Sequence, residues 1–106
     1  MQNYGTDHSF SVSGETWTLI RAAVSPLALT LEFQVPETAV DLRNLDTIMA
    51  PTIRMTGGEI IDRTSCVCGI TSRTGRVEMT LEFQMPLDVE KIKSISVFGR
   101  ELTATP

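Results

Sequence analysis

Histidine is almost missing from this chain. The single one, His8, stands in a polar N-terminal stretch. A Ser-His-Asp triad would need its base there, near a chain end that holds hydrogen-bond geometry poorly. There are two cysteines, Cys66 and Cys68. A zinc site wants four ligands, and only His8 remains to join them. No repeated Asp-x-Asp loop offers calcium a cradle, and no glycine-rich loop leads into a helix to hold phosphate. These shortages predict no catalytic residues, no metal site, no cofactor and no enzymatic activity.

Basic residues are scarce as well. The net charge is −4, and only Arg21 and Arg43 precede Pro51. Nucleic acid demands a basic surface, so it is excluded as a partner. Arg54, Arg63, Arg73 and Arg76 fall in the second half, where they form either a mild basic face or ordinary solvated positions. No apolar run approaches the roughly 18 residues that span a bilayer, so the domain itself is not membrane-inserted. The first residues have neither the charged start nor the apolar centre of a signal peptide. Two readings follow: a cytosolic protein, or a domain excised from a longer chain. The linker-like composition of residues 1–8 favours the second.

What the sequence does have is alternation. Leu27, Leu29, Leu31, Phe33 and Val35 alternate with Ala28, Thr30, Glu32 and Gln34. Val77, Met79, Leu81, Phe83 and Met85 alternate with Glu78, Thr80, Glu82 and Gln84. Period two marks strands with one dry and one wet face, and favours antiparallel pairing. Further strands are expected at residues 9–13, 16–24, 52–56, 59–63, 65–70 and 91–98. The 16–24 strand is apolar enough to be buried on both sides. Gly14, Pro26, Gly57-Gly58 and Gly75 punctuate them. Residues 36–50 form the one long connection, with a helical turn in which Leu42 and Leu45 cap one end. The fold class is therefore an all-β antiparallel sandwich of about seven to nine strands. Its boundaries are a disordered leader or linker at 1–8, the sandwich at 9–103 and a tail at 104–106.

Thr30-Leu31-Glu32-Phe33-Gln34 recurs as Thr80-Leu81-Glu82-Phe83-Gln84, each copy followed by one apolar residue and a proline. Either an old duplication or independent selection for the same strand explains it. The wet face is a solvated surface or a recognition surface, and Glu32, Gln34, Glu82 and Gln84 are the candidate binding residues. Glu32 and Glu82 are not expected to face each other, because opposed like charges destabilise a pair. Phe33 and Phe83 are both expected in the core.

Cys66 and Cys68 share one face of a strand, with Cα atoms roughly 6.6 Å apart. Parallel side chains at that spacing disfavour a bridge. The alternatives are unbridged thiols acting as small hydrophobes, a strained bridge or redox switch, and a metal site. Trp17 is either an exposed ring for stacking on a sugar or a core residue; its apolar strand points to the core.

Residues 17–33, with a strand, a Ser25-Pro26-Leu27 bend and an alternating strand, resemble a known family. It comprises immunoglobulin-like domains of unknown function in Gram-positive, anti-sigma-factor-like membrane proteins. The closing stretch, Lys91-Ile92-Lys93-Ser94-Ile95-Ser96-Val97, fits as well, and the resemblance runs from Phe10 to Leu102. It implies an immunoglobulin-like sandwich carried outside the cytoplasm, at the cell surface, by a parent with a single membrane span. Its partner would be a protein or a cell-surface component. The cysteine pair departs from a family that is usually cysteine-poor. The expected function is a non-enzymatic envelope module for sensing, spacing or protein interaction. The alternatives are a carbohydrate- or surface-binding module and a phage or secretion-system structural subunit.

Overall fold

Pro26 cannot donate to a β-ladder, and the chain reverses around it. The Ser25 N–H donates to the Ala28 carbonyl at 2.9 Å. Ser25 Oγ accepts from the N–H groups of Leu27 and Ala28 at 3.3 and 3.2 Å. The serine closes the turn that the proline opens.

The computed structural model describes residues 2–4, 9–12, 14–36, 49–73 and 75–102. These contain ten strands: β1 (Gln2–Asn3), β2 (Ser9–Val12), β3 (Glu15–Val24), β4 (Ala28–Gln34), β5 (Thr52–Met55), β6 (Ile60–Asp62), β7 (Cys66–Arg73), β8 (Arg76–Phe83), β9 (Ile92–Val97) and β10 (Arg100–Leu102). Short 3-10 turns at Arg63–Ser65 and Val89–Lys91 lead into β7 and β9. One sheet runs β1-β3-β4-β8-β7, with β2 also on β3; the other runs β10-β9-β5-β6. All pairings are antiparallel. The fold is an all-β arrangement of two antiparallel sheets.

The alternation does what it predicts. Leu29, Leu31 and Phe33 on β4, Val77, Met79 and Leu81 on β8, Ile53 on β5, and Ile95 and Val97 on β9 are each at most 1% exposed. Trp17 is 2% exposed and belongs to this core. Its ring lies 5.8 Å from Phe33 and 6.0 Å from Phe98, and Phe10 completes the cluster, 6.1 Å from Phe33. The Phe98-Gly99 turn holds both residues at positive φ, 50° and 76°. Such turns match the twist of a hairpin, and this one delivers the Phe98 ring into the cluster.

Several expectations are corrected. β3 is buried on both faces only at its end, where Ala22, Ala23 and Val24 are each at most 3% exposed; from Glu15 to Arg21 only Trp17 and Leu19 are buried. Leu19 pairs with Phe33 but Arg21 pairs with Glu32, so Ile20 is an extra residue. This bulge moves the inward phase from Trp17 and Leu19 to Ala22 and Val24, which adds to the look of two-sided burial in sequence. Leu27 is 65% exposed because it sits at the tip of the turn, and Met85 is 76% exposed because β8 has already ended. Phe83 is only half-buried. β10 is an added strand after Gly99. Residues 2–4, expected in a leader, lie on β3: Gln2 pairs with Val24 and Asn3 with Ala23. The Tyr4 N–H donates to the Ala22 carbonyl at 2.9 Å, and Tyr4 is 4% exposed. One buried ring anchors a segment whose composition reads as polar. The expected helical turn with Leu42 and Leu45 lies outside the described residues, as does the tail at 104–106.

The repeat has a structural meaning. β4 and β8 are adjacent, and Thr30 pairs directly with its own equivalent, Thr80. The two copies are therefore related by a local two-fold at that pair. The operation carries further, exchanging β3 with β7 in one sheet order and β5 with β9 and β6 with β10 in the other. Apart from β1 and β2, the strands form two four-strand units, β3–β6 and β7–β10. Each contributes one hairpin to each sheet.

Candidate functional site

The wet residues of β4 and β8 lie on the outer face of the first sheet. Glu32 pairs with Arg21 on one side and Glu78 on the other, while Gln34 pairs with Arg76, and Arg76 with Arg73. Like charges thus face each other on two neighbouring rungs. The diagonal relieves them: Arg76 Nη1 donates to Glu32 Oε1 at 2.7 Å. Glu32, Thr71, Arg73, Arg76 and Glu78 line a shallow depression of about 390 Å³. Its mixed charges suit contact with a polar surface.

The four sequence candidates do not converge. Glu32 lies in the depression, and Gln34 is beside it on β4. Glu82 shares the face but sits beyond the Thr30–Thr80 pair, opposite Ala28 and Val67. Glu32 and Glu82 do not face each other, as expected. Gln84 lines a different cavity altogether. Nor do the arginines form one basic face, because Arg54 is on β5 in the other sheet. His8 lies outside the described residues.

Glu32→Ala is expected to change stability by less than about 0.5 kcal/mol. The ion pair is exposed on its arginine side and worth little, and its loss also relieves the Glu32–Glu78 opposition. Urea unfolding measures this, and a loss above about 1 kcal/mol would place Glu32 in the packing rather than on the surface.

The second cavity is more apolar, and sequence reasoning did not find it. It lies on the side where β6 and β7 end their sheets. About 370 Å³ is lined by Ile61, Cys66, Phe83, Met85 and Leu87, with Glu59, Ser65, Gln84 and Pro86 at its polar and outer parts. Exposed Ile60 (58%) and Val67 (63%) stand on the strands of the same side. Its one trace in the sequence is that the second repeat carries apolar alternation through Phe83, Met85 and Leu87, beyond the end of β8.

Cys66 and Cys68 point inward from β7, half-buried opposite Phe83 and Leu81, and neither is joined in a disulfide. Burial pushes the Cys66 thiol up; a hydrogen bond from the Ser65 side lowers it and the Asp62 charge raises it. A raised thiol is a poor nucleophile at neutral pH. Denatured, unreduced protein is expected to take up two alkyl groups by intact mass, while native Cys66 alkylates more slowly than the denatured chain. A mass gain that appears only after reduction would instead indicate a bridge.

Among the described residues no three His, Cys, Asp or Glu side chains group to hold a metal ion. No helix among them is long and apolar enough to cross a membrane. Comparison with protein-family models, curated proteins and solved structures finds no match to this chain.

Proposed function

We propose that this domain is a non-enzymatic, extracytoplasmic module of a bacterial cell-envelope protein, and that it works by contacting another protein. The observation that carries the reading is the open side at β6 and β7. There an apolar cleft adjoins an eight-residue edge strand, and Ile60, Val67 and Met85 are exposed. Apolar groups gathered beside a strand edge are the usual material of protein contacts. The strand order supports the immunoglobulin-like part of this reading: taken in chain order from β3 to β10, the sheets β3-β4-β8-β7 and β10-β9-β5-β6 follow the A-B-E-D and G-F-C-C′ orders of immunoglobulin-like sandwiches.

The carbohydrate-binding alternative has less support, because none of the chain's one Trp, one Tyr and four Phe side chains is exposed. A structural-subunit role draws on the same β7 edge and differs in requiring chains of copies. The test uses the parent protein in intact cells, tagged in this domain, with a photo-crosslinking residue at Met85 or, as a control, at Thr80. Cleavage by protease added outside, with crosslinks to an envelope protein from Met85 alone, supports the proposal. Protection until lysis, or equal crosslinking from both positions, overturns it. Ladders of copies would favour the structural subunit.

A further inference from the structure

The local two-fold supplies an internal control for the open side. Phe33 and Phe83 are the same position in the two copies, yet Phe33 is 0% exposed and Phe83 is half-buried. Leu19 pairs with Phe33 as Cys66 pairs with Phe83. Two residues before Leu19 is Trp17; two residues before Cys66 is Thr64, in a 3-10 turn. The β9–β10 turn brings Phe98 onto Phe33, with ring centroids 5.7 Å apart. The equivalent β5–β6 turn, Thr56 to Glu59 around Gly57-Gly58, has no ring to bring. Two rings on the first copy thus have no counterpart on the second, and the cleft is the unfilled volume.

The covered side also shows what fills such a place. The edge of β3 is taken by extended segments of the chain, β1 and β2, with Tyr4, Phe10 and Val12 turned inward and at most 6% exposed. The body holds that arm with a cation. Arg100 Nη1 donates to the Ser9 carbonyl at 2.8 Å, and the guanidinium lies 5.3 Å from the centre of the Phe10 ring. Arg100 opens β10. Its counterpart strand, β6, is preceded by Glu59, which lines the cleft. The charge offered to an incoming strand is therefore inverted. Residues 1–13 hold no lysine or arginine, so the arm of a second copy does not match it.

We infer that the cleft and the β7 edge take an extended segment of another protein, bearing an aromatic or large aliphatic residue beside a lysine or arginine. The segment adds as a strand to β7, its apolar side chain fills the place beside Phe83, and its cation meets Glu59. The inference rests on the protein-contact reading above and names its partner's chemistry.

The 106-residue domain, labelled with nitrogen-15, is titrated at low salt with two blocked peptides, Thr-Ser-Val-Lys-Phe and Thr-Ser-Val-Glu-Phe, which set the charge directly before the ring, as Ser9 precedes Phe10, and extend from there along β7. The lysine peptide is expected to shift the amides of residues 66–70 together with Phe83 and Leu87. It binds roughly threefold tighter than the glutamate peptide, as suits one exposed charge pair. Salt at about 1 M erases the difference, and Glu59→Lys reverses the preference. Silence of the β7 amides with both peptides, or equal binding of the two, overturns the inference. The same shifts produced by unlabelled domain alone would also overturn it, by making a second copy the occupant. None of these results alters the crosslinking test in cells, so failure here leaves the broader reading intact.

Discussion

Phe33→Ala lowers the unfolding free energy by about 3–5 kcal/mol, whereas Phe83→Ala lowers it by only about 1–2 kcal/mol. The two residues occupy the same place in the same five-residue sequence, so the difference isolates environment from chemistry. Phe33 is 0% exposed and touches the rings of Phe10, Trp17 and Phe98. Its removal leaves a cavity that three rings cannot collapse to fill. Phe83 already borders an open cleft, so its truncation widens a wet space and strands less apolar surface. Urea unfolding of both variants at unchanged m decides this. Equal losses would mean that the cleft closes in solution and that the two halves are alike.

Removing residues 1–8 costs about 2–3 kcal/mol and lowers Tm by roughly 10 °C or more. A disordered leader would make the deletion neutral. The cost comes from Tyr4, 4% exposed, and from the pairing of Gln2 and Asn3 with β3. Tyr4 adds a pH signature. Burial raises its phenol above the ordinary value of 10.0, because the charged phenolate is disfavoured inside. The stabilisation from this burial is complete below pH of about 10 and is lost as pH rises through the raised value. Ultraviolet titration of the chain's one tyrosine, native against denatured, gives the shift directly. Identical curves would show that the ring is not held.

How much of this was legible in the sequence depends on whether the signal was local. The faces of β4 and β8 were, because period two in Leu29–Leu31–Phe33 and Val77–Met79–Leu81 admits one inward face. The ends were not. Val35, just past the end of β4, is still tied down because its N–H donates to the Gly75 carbonyl, and it is 6% exposed, while Met85 lies free of the sheet after Phe83 donates to the Leu27 carbonyl. Nothing in Gln-Val-Pro against Gln-Met-Pro announces that difference, which lies in the neighbours. The β3 bulge was visible only as a loss of alternation, which two-sided burial explains equally well. Tyr4 was hidden by polar company. The outer-face candidates Glu32, Gln34, Glu82 and Gln84 followed from the repeat. The apolar cleft did not, because it is defined by what Thr64 and Gly57-Gly58 fail to supply.

The Thr30–Thr80 pair also bears on how the chain assembles. A strand that pairs antiparallel with a copy of its own sequence accepts that sequence from any chain. During refolding β4 can meet β8 of its own molecule or β4 of a neighbour, and through five residues the two partners are identical. The choice is then kinetic. A connection of this length keeps the intramolecular partner at an effective concentration on the order of millimolar. Dilute refolding therefore gives monomer. As the protein approaches that concentration, exchanged dimers accumulate and are trapped by the cost of unfolding, a failure common to chains built from repeats. Replacing Thr-Leu-Glu in one copy with a different half-buried triplet would make the two partners distinguishable and restore the monomer at high concentration.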